Sequence, residues 1–218
     1  DADDAIEPLF LQVCIDALEV DRSIGIAYTK LKFIKADGSS GVSPWPDKFN
    51  YQRQLERANQ VPTCCVFRKS MWERLGGYKQ RYAPFGAGSE DAEFWLRAGA
   101  YGYNAVLASD LPLFVYSMGT GYVSGNKDYH EQDWLGWHPW VTDGQHPLAS
   151  IAKPVRMSHL VRQYDNPTVS VIIPVGEGHE NVLENALDSL EAQSFRRWEV
   201  IVVWDSPNPY AAFEKHKA

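Results

Sequence analysis

Two acidic groups in this chain have residue types and spacings suited to chemistry. The first is Asp1-Ala2-Asp3-Asp4. On extended backbone, side chains two residues apart point the same way. Asp1 and Asp3 can therefore share one hard divalent cation and leave coordination positions for phosphate oxygens. The same acids equally suit the start of a helix, whose dipole stabilises negative charge. An EF-hand is excluded, because its sixth position is Ile6 rather than Gly. The second group is Glu90-Asp91, directly after Gly86-Ala87-Gly88-Ser89. A carboxylate at a helix N-terminus stays ionised, a glycine-rich loop lets a substrate approach, and such a group can act as general base toward a hydroxyl. Ordinary first-turn acids would read the same way.

Other chemistry is poorly supported. Gly176-Glu177-Gly178 lies between a strand and a helix, but the third glycine of a dinucleotide loop would fall at Asn181. The six histidines form no HExxH pair, and Cys14, Cys64 and Cys65 form no CxxC pair. Three cysteines, two of them adjacent, argue against a disulfide framework and for a reducing compartment. The eight Trp and eleven Tyr can stack on sugar rings or fill a core.

The elements that must position these acids follow from periodicity. Ile6, Leu9, Phe10, Val13, Ala17 and Leu18 share one helical face, so a helix is expected over 4–20 with Asp4 as its cap. Residues 24–35 read as a strand closed by the Asp37-Gly38 turn, and 39–46 as loop. Asp47 is expected to cap a polar helix to about 59, and 62–67 reads as a buried strand. Ser70 and Glu73 suggest a capping box for a helix ended by Gly76-Gly77. A helix over 90–101 and strands over 103–107 and 112–116 follow. Residues 117–166 read as an aromatic-rich loop and linker. The run Val169-Ser170-Val171-Ile172-Ile173-Pro174-Val175 looks like a strand covered on both faces. With a helix over 180–193 and a strand over 199–204 it makes a β-α-β unit, for which a parallel crossover is expected.

Composition narrows the class further. A chain of 218 residues with 44% apolar and 22% charged residues can build a globular core. A net charge of −7 argues against a nucleic-acid binder. No apolar run is long enough to span a bilayer, and no leader pattern opens the chain.

In their order, these segments resemble a family-2 glycosyltransferase of the GT-A fold. Asp1-Ala2-Asp3-Asp4, Val61-Pro62-Thr63, Phe67-Arg68-Lys69-Ser70, Glu73 to Tyr78, Gly88 to Arg97 and Gly102-Tyr103 resemble the second half of such a domain. Residues 169–175, Ala186 to Leu190, Gln193-Ser194-Phe195 and 198–203 look like the opening of one. The resemblance covers roughly 1–120 and 167–208. It implies an α/β fold, a GT-A-like (Rossmann-like) mixed sheet flanked by helices, incomplete or permuted. The domains would be 1–116, the C-terminal half of one transferase domain; 117–166, the linker; and 167–218, the start of a second. The order fits either a window cut from a tandem enzyme or a circular permutant. The tandem window is preferred, because the helix and strand that the family places before the aspartate motif do not follow Asp205, and the first residue is Asp rather than Met. The C-terminal unit could nonetheless dock on the first half and imitate the missing strands.

The resemblance implies transfer of a sugar, usually with inversion, from a nucleotide-diphosphate donor to a glycan or lipid-linked acceptor, as in surface polysaccharide synthesis. Asp1 and Asp3 match the metal–diphosphate motif and would hold Mn²⁺ or Mg²⁺. Asp91 matches the catalytic base, with Glu90 supporting acceptor binding. Pro174, Val175 and Asp205 match positions that hold the nucleotide. A cytoplasmic location, or a peripheral one at the inner face of the membrane, would follow. The chain departs from the family at Gly176-Glu177, where an aromatic-Asn pair is frequent, in keeping one acid near Asp205 where two are usual, and at Gly119, where a histidine is frequent. It also lacks the QxxRW motif of processive synthases. The alternative is a non-catalytic glycan- or partner-binding module derived from such an enzyme. A phosphatase built on an aspartate pair fits poorly, because Asp4-Ala5 leads straight into the expected helix.

Overall fold

The structure, a computed structural model, describes residues 2–43, 45–55, 59–78, 90–119, 157–163, 167–176, 179 and 182–204. Two mixed, open sheets flanked by helices make it an α/β chain. The first sheet centres on β2 (Ile24–Lys35) and β5 (Asn104–Met118), which run parallel. β1 (Ala5–Ile6) lines the far side of β5, and β3 (Ser40–Ser43) and β4 (Val66–Phe67) both pair with β2. Along β2, alternate side chains serve opposite faces, as strand geometry requires. Ala27 and Leu31 join one core with α1 (Phe10–Val20). Ile26 and Tyr28 join another with α3 (Lys69–Leu75) and α4 (Glu90–Ala100).

The second sheet has the order β6 (Met157–Gln163), β8 (Trp198–Trp204), β7 (Val169–Val175). β7 and β8 are parallel, joined through α5 (Leu183–Glu191). Leu183, Ala186, Leu187 and Leu190 of that helix are buried in the same core as Phe10, Leu11 and Cys14.

Several local expectations are corrected. The helix expected over 4–20 begins at Phe10, because Ala5 and Ile6 pair instead with Val115 and Phe114. Asp4 is not its cap; its carboxylate accepts from the Ser117 N–H at 2.9 Å. Residues 40–43, read as loop, form β3, since the turn at Gly38 (φ 81°) returns the chain along β2. The polar helix is the short α2 (Tyr51–Leu55), and Asn50 rather than Asp47 holds its start, accepting from the Arg53 N–H at 3.1 Å. α3 begins without a side-chain cap, so Ser70 makes no capping box. The two strands expected over 103–116 are one strand, with its ladder shifting register between Tyr28 and Leu31. β6 lies within the span read as linker. β7 is an edge strand among the described residues, with Ile172 61% exposed, so it is not covered on both faces.

The C-terminal unit docks on the first half through Gln193. Its fully buried side-chain Nε2 donates to the carbonyls of Glu7 (2.8 Å), Ile6 (3.2 Å) and Ser189 (3.1 Å), and its Oε1 accepts from Leu11 N–H at 3.3 Å. Ser194 N–H adds a bond to the Pro8 carbonyl at 2.7 Å. Gln193→Leu keeps the bulk but strands these main-chain groups. A loss of about 2–3 kcal/mol in urea unfolding is expected. A loss below about 0.5 kcal/mol would show that the docking does not depend on this side chain.

Candidate active site

The acid loop is anchored from below. Ala2 is 2% exposed, Ser117 Oγ donates to the Asp3 carbonyl at 2.5 Å, and Glu7 N–H bonds the Leu113 carbonyl at 2.8 Å. These contacts fix the loop backbone at the end of β5. The Asp3 side chain is half-buried, whereas Asp4 is buried. Asp1 lies outside the described residues. Ser117, a second anchor of the loop, carries no signal in the sequence; its role comes from a strand pairing more than a hundred positions away.

Burial holds the Asp4 carboxyl above its ordinary value, with Asp3 pushing the same way and the Ser117 N–H opposing. The folded state therefore holds this proton more tightly than the unfolded chain does. Stability from this group is greatest below about pH 3.8 and is lost as pH rises through the folded-state value. Asp4→Asn retains an acceptor for Ser117 and removes the buried charge. Its unfolding midpoint is expected to exceed the parent's at neutral pH, with the gap closing in acid. Thermal unfolding across pH checks this, and a less stable variant at neutral pH would contradict it.

Asp91 sits on the first turn of α4, half-buried. Its Oδ2 accepts from the Thr63 hydroxyl at 2.9 Å, and its Oδ1 accepts from the Ala92 N–H at 2.7 Å. Both oxygens are thus oriented before any substrate arrives. Glu90 opens the helix, but its side chain lies outside the described atoms. Thr63 is a functional candidate that residue-type reasoning missed; its only signal was a hydroxyl beside Pro62, 28 residues from the acid it holds.

The segment Thr63-Cys64-Cys65 begins at the hydroxyl that holds Asp91. Cys64 and Cys65 are half-buried by exposed area but densely surrounded, and all three thiols are free. Burial pushes the Cys64 thiol up to about 12, with Asp4 adding to the rise. Burial also pushes Cys65 well up, with Cys64, Cys14 and Asp91 adding. Such thiols stay protonated and inert at neutral pH. Asp4 thus acts on Cys64 and Asp91 on the neighbouring Cys65.

Pro174 and Val175 end β7 opposite Val203 and Trp204 of β8, at the carboxyl edge of the parallel pair. Ligands of open α/β sheets bind at such edges. Val175 is 1% exposed and shares a core with Ala2, while Pro174 is exposed. Asp205 lies outside the described residues. Among the described residues no three His, Cys, Asp or Glu side chains converge on one point, and no helix is long and apolar enough to cross a membrane.

No family model matches this sequence, and the search of curated proteins found no match.

Proposed function

We propose that this chain is a metal-dependent glycosyltransferase unit of the GT-A type, transferring a sugar with inversion from a nucleotide-diphosphate donor to an acceptor hydroxyl. The observation that carries the reading is the held carboxylate of Asp91, fixed by Thr63 and the Ala92 N–H at the start of α4. In this reading Asp91 removes the proton of the incoming hydroxyl. Asp3, with Asp1, offers hard oxygen donors of the kind Mn²⁺ or Mg²⁺ prefers, whereas Asp4 is committed to Ser117. When bound, the cation would offset charge building on the departing diphosphate. Ser117 keeps the Asp3 backbone in place for that role. Pro174, Val175 and Asp205 would border the nucleotide, and Glu90 the acceptor.

The docking of α5 supports counting the C-terminal unit as part of the same site rather than as a detached start of another domain. Work in the cytoplasm, or at the inner face of a membrane on a glycan or lipid-linked acceptor, goes with this reading.

The test is release of nucleoside diphosphate from a panel of nucleotide sugars, with Mn²⁺ or Mg²⁺ and with chelator. Metal-dependent release is expected, and chelator should abolish it. If the full chain neither releases nor binds nucleotide with any donor, the transferase reading falls and the binding-module alternative takes its place.

A further inference from the structure

Two large aromatic side chains stay exposed at the end of α3. Trp72 is 40% exposed and Tyr78 is 42% exposed. They stand on either side of Gly76-Gly77, the left-handed pair (φ 73° and 67°) that ends α3. A Cβ at Gly77 would come within 2.7 Å of Trp72 Cζ2, so the indole lies directly on the bare main chain of that residue. Tyr78 rests edge-on against Phe94, with centroids 5.1 Å apart at 63°. Phe94 lies three residues after Asp91 on α4, which puts the two on one side of the helix.

This ridge is held in shape from inside. Arg97 donates to the carbonyls of Leu75 (2.6 Å) and Gly77 (2.7 Å) while buried in an ion pair with Glu93. The backbone that presents both rings is thus fixed before a ligand binds, which lowers the ordering cost of recognition. Exposed Glu73 and Arg74 lie on the same helix end, so polar groups adjoin the rings. An apolar partner would have to bury those charges; a sugar can use them through its hydroxyls.

We propose that Trp72 and Tyr78 form a stacking ridge for the pyranose rings of a neutral glycan, leading to Asp91. The C–H face of a pyranose carries partial positive charge and suits the negative face of an aromatic ring. The chain's net charge of −7 favours a neutral glycan over an acidic one. The proposal rests on the transferase reading only in naming this ligand the acceptor.

Titration of the full chain with cellohexaose, chitohexaose and maltohexaose tests it, using calorimetry. Saturable binding of at least one is expected. Trp72→Ala and Tyr78→Ala should each weaken it about three- to tenfold, the weight of one ring contact. Tyr78→Phe should bind like the parent, and unchanged unfolding midpoints would show that the variants fold. No binding of any of the three at about 10 mM overturns the proposal. So does equal binding by both alanine variants, or saturation of the ridge by lipid vesicles in place of glycan. Glycan binding without nucleotide release would sink the transferase reading alone; release without glycan binding would sink the ridge alone.

Discussion

Asp91→Asn is expected to lower sugar transfer by about two to four orders of magnitude while leaving donor KM within about twofold. The substitution is nearly isosteric. The amide oxygen can still accept from Thr63 or from the Ala92 N–H, so the start of α4 should hold its shape. What is lost is an acceptor for the proton of the incoming hydroxyl. If Asp91 served only to hold the helix start, the damage would appear in stability and in KM, not in kcat. Steady-state kinetics on the parent and the variant, with urea unfolding of both, separates these outcomes. A variant that transfers at the parent's rate would remove Asp91 from the chemistry.

How much of this site was legible beforehand depended on how local each cause is. β2 and β7 match their expected bounds because each is a run of strand-forming residues closed by turn signals. The Gly76-Gly77 stop was legible because two left-handed residues in sequence have few alternatives to glycine. β1, β3 and β6 were missed because what makes them strands is a partner elsewhere. Ala5-Ile6 alone suits a helix as well as a strand, and only Phe114 and Val115 decide it. Asp4 shows the same limit. Its type fits a helix cap, but Ser117 claims its carboxylate. The exposure of Ile172 follows from one face of β7 being left uncovered among the described residues, which its apolar sequence does not encode. Asp91 was picked out by its place at a helix start; the hydroxyl that orients it could be found only in three dimensions.

The largest loss of stability is expected from Arg97→Met. The guanidinium is 6% exposed and grips Glu93 through two bonds, Nε to Oε1 at 2.6 Å and Nη2 to Oε2 at 2.7 Å. It also holds the Leu75 and Gly77 carbonyls and lies 5.1 Å from the centre of the Phe94 ring. Methionine fills much of the same volume, so little of the effect is a cavity. What remains is Glu93, 7% exposed and without its cation, together with two carbonyls that lose a donor. Removing one partner of a buried pair costs about 3–5 kcal/mol. That is a large share of the stability of an ordinary domain. The exposed pair Lys30–Asp110, with the Asp110 side chain 80% exposed, should by contrast contribute little, because water screens it. Lysine is a poor substitute for Arg97, because a point charge cannot span a carboxylate and two carbonyls as the planar fork does. The double change Glu93→Leu with Arg97→Met removes the stranded charge and should recover most of the loss, leaving the two carbonyls as the residue. Urea unfolding of the parent, the single variant and the double variant checks this. A single variant within about 1 kcal/mol of the parent would mean that Glu93 is compensated from elsewhere, and that the ridge beside Asp91 is not held by this pair.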